Sequence, residues 1–216
     1  MILGISSSGR KNGITSKTVK EILKSSELEY EYISLSGLNI KGCIGCLECA
    51  SDNICKIKDD WHMIREKMIN ADAIVFGAPN YYGTINAIGH ACLERTFSFR
   101  HREIFSLESK IGVTVSSSHS GEMNAVNKYI NKVMSSNRMI VIEDFATRGY
   151  AQCYTCGYGH DCNVGNVVKD HGILEKIEKE HYPKYFKERK YVIKEASRIG
   201  RVLSNTLRKK VNERKK

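Results

Sequence analysis

Seven of the eight cysteines in this 216-residue chain fall into two tight groups, 43–55 and 153–162. Thiols placed at random do not cluster in this way, and such spacing signals metal or redox chemistry. In the first group, Cys43-x2-Cys46-x2-Cys49-x5-Cys55 offers four thiolates within 13 residues. Structural zinc takes two ligand pairs split by a longer spacer, whereas three cysteines in successive CxxC steps favour a [4Fe–4S] cluster, one sulfur to each iron. Cys43, Cys46, Cys49 and Cys55 are therefore expected to hold one cluster. The second group, Cys153, Cys156 and Cys162, has His160 and Asp161 beside it and is one ligand short of a closed metal site. His160, Cys92, a cysteine of a second subunit or an exogenous molecule would complete it. A second iron–sulfur cluster, a zinc site and a thiol pair at Cys153/Cys156 all stay open at this point. Cys92, between Ile88 and Leu93, reads as a buried small hydrophobe.

The other residues with chemical potential lie in three loops. Ser6-Ser7-Ser8-Gly9-Arg10-Lys11-Asn12-Gly13-Ile14-Thr15 follows the first apolar run, Met1 to Ile5. It matches neither GxxxxGK[ST] nor GxGxxG. Its hydroxyls, its Arg fork and the free N–H groups of a helix start nevertheless suit a terminal phosphate. Gly77-Ala78-Pro79-Asn80-Tyr81-Tyr82-Gly83 is the second loop and Ser116-Ser117-Ser118-His119-Ser120-Gly121 the third. His119 is placed to reach a ring bound between them, while His62, His101, His171 and His181 sit among charged residues and read as solvated. No Ser/His/Asp arrangement or carboxylate pair points to hydrolysis.

These loops need elements to position them. Residues 1–5, 30–35, 71–77, 110–115 and 139–143 read as strands, the third as a buried one. Helical spacing is expected over 15–25 with Thr15 as N-cap, over 61–70, 86–99 and 122–135, and in a charged run from about 170 onward. Strands alternating with helices give βαβ units and a parallel sheet. The three loops then lie beyond the carboxyl ends of their strands, where an open parallel sheet binds ligands.

The stretch from Leu3 to Thr15 resembles the SPRKNGNT phosphate loop of the flavodoxin-like NADPH-dependent FMN reductases and the iron–sulfur flavoproteins. Gly9 replaces the Pro of that pattern and Ile14 its Asn, which removes one amide side chain. Residues 77–83 resemble the family's second loop, whose Pro-x-Tyr-aromatic stretch borders the flavin, and the first cysteine group matches its compact motif. The resemblance covers residues 1 to 165. It implies a flavodoxin-like doubly wound α/β sheet with an inserted cluster loop at 42–58, in a domain over 1–169, and a basic helical C-terminal extension over 170–216. FMN would place its phosphate at Ser8, Arg10, Asn12, Gly13, Ile14 and Thr15. Its ring would lie against Pro79, Asn80, Tyr81, Tyr82 and Gly83, with Ser116, Ser117 and His119 nearby. The implied activity is electron transfer between FMN and [4Fe–4S], coupling one- and two-electron partners such as ferredoxin or NAD(P)H. The cluster loop follows a strand at or near the sheet edge, so a homodimer or homotetramer with a shared redox site is expected.

Composition narrows the alternatives. Two prolines, 17 glycines, 41% hydrophobic and 27% charged residues fit one domain with an appendage and exclude low-complexity classes. No run approaches the ~18 apolar residues of a membrane helix, and the opening lacks a signal-peptide pattern, so a soluble cytoplasmic protein is expected. Of the net charge of +10, a surplus of seven belongs to residues 198–216, with eight Lys/Arg against Glu213. Such a tail can meet polyanions, but without interleaved aromatics or a reader motif it argues against nucleic acid as the main partner. Two other readings are an NAD(P)H-dependent FMN or quinone reductase with structural cysteines, and a zinc-stabilised nucleic-acid-binding module.

Overall fold

Continuous burial along the central strands decides the architecture. The computed structural model describes residues 1–119, 124–183 and 189–213. Strands β1 (Ile2–Ser6), β2 (Tyr30–Ser34), β3 (Ala73–Tyr81), β5 (Ile111–Ser118) and β6 (Ile140–Arg148) run parallel in the order β2-β1-β3-β5-β6. The short β4 (Thr84–Ile85) folds back antiparallel on the end of β3. Along β1 and β3, Leu3, Ile5, Ile74 and Phe76 face one core, and Ile2, Ala73 and Val75 face the other. Both faces are therefore covered, as a parallel sheet requires.

Helices α2 (Trp61–Asn70), α3 (Ala87–Glu94) and α4 (Asn124–Ser136) seal the first core with Trp61, Ile64, Cys92, Leu93 and Ile130. On the opposite face lie α1 (Ile14–Ser25) and α6 (Lys190–Glu213), which bury Val19, Ile22, Ile199 and Leu203. A side chain at Gly77 would collide with Val19 and Thr15. Glycine there lets α1 lie close on the sheet, which brings its first turn up to the strand ends. The helix α5 (Asn166–His171) packs in a small cluster of its own, where Val167 meets Ala151 and Tyr154.

Several expected boundaries differ. Gly13, in extended conformation, caps α1, and Thr15 stands inside the first turn with its hydroxyl 2.6 Å from that of Ser117. The expected 86–99 helix stops at Glu94 and tightens into a 3-10 turn, Arg95–Phe99. Strands β3, β5 and β6 outrun their expected ends by three to five residues, β6 to Arg148. The helical run expected from 170 breaks at the left-handed Gly172 (φ 79°), and the next α-helix among the described residues starts at Lys190. Positions 120–123, part of the third loop and the start of the expected 122–135 helix, lie outside the described residues.

Candidate functional site

The loop from Ser7 to Gly13 joins β1 to α1 at the carboxyl edge of the sheet. Ser7 and Asn86, the N-cap of α3, exchange two hydrogen bonds of 2.6 Å, which fasten the loop to the neighbouring element. Gly13 N–H closes a turn on the Arg10 carbonyl at 2.9 Å, and Ser8 Oγ accepts the Arg10 N–H at 3.2 Å. A side chain at Gly13 would meet that carbonyl at 3.1 Å and Ser8 Oγ at 3.2 Å, so the turn would have to give by a few tenths of an ångström to admit one. No side chain caps α1. Its first-turn amides face out of the helix as donors, and the helix dipole adds positive potential. Arg10 is held over the Tyr150 ring, 4.7 Å from the centroid, and donates to the Tyr150 carbonyl at 3.2 Å.

These groups open into a cavity of about 510 Å³, within the range of small-molecule sites. Of the sequence-predicted residues, Ser8, Arg10, Gly13, Ile14, Thr15, Pro79, Asn80, Tyr81, Tyr82, Ser117 and His119 line it. Asn12 is exposed and Gly83 lies in the adjoining turn, outside the lining; Ser116 is fully buried in β5. In that turn Asn80 Oδ1 accepts the Gly83 N–H at 2.8 Å. The turn drives Tyr82 into the left-handed region (φ 54°) and leaves its ring fully exposed at the rim, beside a half-exposed Tyr81. Ile14, which stands where the family pattern has Asn, lies 3.3 Å from where a side chain on Gly149 would begin. The described lining contains one guanidinium and no acid, a balance suited to an anionic phosphate.

One wall was absent from the residues expected to bind the flavin, and Cys153, expected at a separate metal or redox site, is part of it. Ser118, Gly149 to Cys153 and Asn166 complete the cavity. The rule that carboxyl-end loops carry ligand sites applies to the loop after β6 as much as to the others. A comparable cavity of about 610 Å³ lies at the opposite end of the strands, against Met1, Leu28 and Leu207, and holds none of the predicted residues.

The cysteine loop leaves β2, an edge strand, and is bolted at both ends by one guanidinium. Arg95 donates to the Lys41 carbonyl at 3.0 Å, to the Ile57 carbonyl at 3.3 Å and to both Asp59 oxygens at 2.7 and 3.2 Å. Asp59 accepts the Lys41 and Trp61 amides in addition. Both side chains of the pair are fully buried. Burial, the largest influence, would raise the Asp59 carboxyl; Arg95 and the two amides together outweigh it and hold the group below its ordinary value.

Within this frame Cys43 and Cys46 are exposed and Cys49 and Cys55 buried. Gly45, Leu47 and Asn53 all take left-handed backbone, which turns the loop back on itself. Burial raises the Cys49 thiol, and repulsion from Cys55, Cys43 and Cys46 adds to it. Among the described residues no three His, Cys, Asp or Glu side chains converge on one metal ion. A cubane asks for less convergence, since each thiolate meets a different iron, and its positive irons would relieve the mutual repulsion. The donor set therefore fits such a cluster.

His101 is not the solvated residue its neighbours suggest. Its Nε2 lies 3.1 Å from Cys49 Sγ, and Asn53 clamps its backbone with bonds of 2.8 and 3.3 Å. His171 lies against Tyr154, and His181 closes a capping box with Glu178. His62 bonds the Ile57 carbonyl at 3.1 Å. Cys92 is fully buried, and burial pushes its thiol up to about 12. It belongs to the core under α3, while Cys153 packs in the separate cluster beside α5.

Comparison with known proteins places these sites in context. The sequence profile described as NADPH-dependent FMN reductase matches residues 1–152. An iron–sulfur flavoprotein of Methanocaldococcus jannaschii is 34% identical over 148 residues, 66% of this chain and 76% of its own. That of Methanosarcina thermophila is 32% identical over 148 residues, 66% of this chain and 77% of its own. In structure, the chain is similar to a WrbA-like flavodoxin from Agrobacterium tumefaciens, with a TM-score of 0.54 and 12% identity, over 96% of this chain and 97% of that one. The sheet is flavodoxin-like.

Proposed function

The chain belongs to the NADPH-dependent FMN reductase family, as an iron–sulfur flavoprotein, and from that premise we propose that it passes electrons between FMN and a [4Fe–4S] cluster. One observation carries the reading: the chain that builds the phosphate cradle also builds a framed loop of four thiols. FMN supplies the chemistry of accepting electrons singly or in pairs, and the cluster that of moving them singly.

The residues have separate tasks in this reading. Ser8, Arg10, Gly13, Ile14 and Thr15 bind the phosphate, through amides, hydroxyl and guanidinium. Asn12 adds charge-neutral polarity at the mouth, and Pro79 to Gly83 present backbone and the Tyr81 and Tyr82 rings to the flavin edge. Ser117 and His119 close the far side, with Ser116 supporting them from within β5. Cys43, Cys46, Cys49 and Cys55 hold the cluster, and Arg95 with Asp59 fixes the span of their loop. NAD(P)H or a ferredoxin serves as redox partner.

A second copy of the chain completes the site. Ile44 and Leu47 are 72% and 59% exposed beside the exposed Cys43 and Cys46, an apolar surface that a subunit contact would cover. The fully exposed Tyr82 marks the matching place at the flavin cavity. Light scattering on the anaerobic protein gives a dimer or tetramer in this reading; a monomer whose cluster and flavin equilibrate at full rate when dilute refutes the shared site.

Anaerobic purification followed by iron, acid-labile sulfide and flavin analysis tests the whole reading. The expected result is one FMN and four irons with four sulfides per chain. Zinc without sulfide, or a preparation that binds no flavin, overturns it.

A further inference from the structure

Cys153, Cys156 and Cys162 have no task in the reading above, and the family match ends one residue before the first of them. Cys153 nevertheless lines the FMN cavity, from the single 3-10 turn Gln152–Tyr154. That turn is anchored from behind. Tyr154 is buried against Ala151 and Val167, and its hydroxyl lies 3.2 Å from both Asp170 Oδ2 and His171 Nε2. The Cys153 sulfur accepts the backbone N–H of Asn166 at 3.3 Å, with the Asn166 side-chain amide at 3.9 Å. Asn166 lines the same cavity.

Cys162 reaches the same short segment from its other end. Gly165 N–H closes a turn on the Cys162 carbonyl at 2.7 Å, and a side chain on Gly165 would begin 3.4 Å from Cys162 Sγ. The two sulfurs thus flank the dipeptide Gly165–Asn166. Gly159 crosses the Cys153 carbonyl so closely that no side chain fits there, so the chain from 153 to 166 curls back on Cys153. Cys156 is exposed and turns its thiol to the Cys153 carbonyl at 3.5 Å.

Three thiols suit a metal ion or a redox pair. A single ion needs three donors on one point, which no three such side chains among the described residues give, and a cubane needs a fourth ligand that this group lacks. A pair needs its two sulfurs within reach of each other and one of them on the flavin cavity; Cys153 and Cys162 both lie against Gly165–Asn166, and Cys153 lines the cavity. Resting on the reading of that cavity as an FMN site, we propose that Cys153 and Cys162 form a redox thiol pair that exchanges two electrons with the bound flavin. On oxidation, Cys153 and Cys162 each lose a proton, an S–S bond forms between them, and the two electrons and two protons pass to the flavin. On reduction the S–S bond breaks, and each sulfur regains a proton as two electrons return from the flavin. The chain then carries a two-electron store beside its one-electron cluster.

Peptide mapping of the holoprotein, quenched in acid and alkylated, tests this. Air-oxidised protein is expected to yield a Cys153–Cys162 linked peptide with Cys156 alkylated. Anaerobic dithionite before the quench lowers the linked peptide at least tenfold, and flavin-stripped protein treated identically retains it. Free Cys153 and Cys162 in the oxidised sample, a Cys153–Cys156 link, or equal reduction without flavin overturns the pair. So does the loss of one zinc, or of iron beyond the first cluster, in Cys153→Ser. Visible absorbance of the same samples separates the two ideas. A protein without flavin refutes the proposed function, whereas bound, reducible flavin beside unlinked thiols refutes only the thiol pair.

Discussion

Replacing Asp59 with Asn removes the charge that faces Arg95 while keeping the shape of the side chain. Asp59 accepts four hydrogen bonds, two from the guanidinium and one each from the Lys41 and Trp61 amides. The variant leaves a fully buried guanidinium without its counter-charge, and breaking a buried pair from one side costs about 3–5 kcal/mol. For a chain of this length each kcal/mol moves the midpoint by about 2–4 °C, so a fall of roughly 6–20 °C is expected. Thermal unfolding followed by circular dichroism, on metal-free protein so that cluster loss does not contribute, measures it. The double variant Asp59→Leu/Arg95→Met recovers most of the loss, because an apolar pair of similar volume carries no desolvation penalty. The pair also fixes a pH dependence. Asp59 is held below its ordinary value of 3.8, so its stabilisation is complete above that value and drains away as pH falls through the lower, folded one. Wild-type stability should drop more steeply than that of Asp59→Asn on acidification from about pH 5 to pH 2. A single variant within about 1 kcal/mol of wild type, with the same acid limb, would refute the claim that this pair bolts the loop.

Arg10→Ala removes a charge-assisted contact of about 1.5–3 kcal/mol and weakens FMN binding by roughly 10- to 150-fold, read by the recovery of flavin fluorescence on dilution. Cys49→Ala abolishes or converts the cluster while FMN stays bound, as iron, sulfide and flavin analysis of one anaerobic sample shows. His101→Phe lowers the reduction potential of the cluster, because a ligated thiolate has no proton and the Nε2 at 3.1 Å must donate to it. At about 1 kcal/mol for the bond the fall is a few tens of millivolts, at 59 mV per factor of ten, and an EPR-monitored redox titration measures it.

What was legible in the sequence is what the chain builds from neighbours. The cradle lies within ten residues of β1, so its hydroxyls, glycine and arginine stand together in the sequence, and four cysteines on one loop declare themselves by spacing alone. The features that escaped are long-range side-chain contacts. Arg95 and Asp59 stand 36 residues apart, His101 and Cys49 52, and Arg10 and Tyr150 140. No periodicity marks such pairs. His101 was even misread, since the Arg100 and Arg102 beside it suggest solvent, while Asn53 pulls its backbone onto the cysteine loop. The strand ends were misplaced for a related reason: β3 and β5 continue through serines and Pro79, whose loop-like composition is overridden by pairing between the two strands, and Asn80 by pairing with β4.

Different forces hold the two proposed redox sites, and their failures should therefore be separable. The cradle depends on backbone amides at a helix start and on the tight turn at Gly13. Its donors are part of the fold and cannot be lost without unfolding β1 and α1, so a single side-chain change weakens the site without abolishing it. The cysteine loop has almost no regular structure, only the turn Glu48–Ala50, and its most connected anchors are the Arg95 guanidinium at its ends and the Asn53–His101 clamp along its length, with single bonds to Arg65, Arg102 and Glu94 beside them. Removing either main anchor loosens the loop. Cluster content should thus fall sharply with a single substitution at Arg95, Asp59 or Asn53 while flavin content holds, and a variant of Asn53 that loses both together would show that the two sites share more structure than these contacts supply.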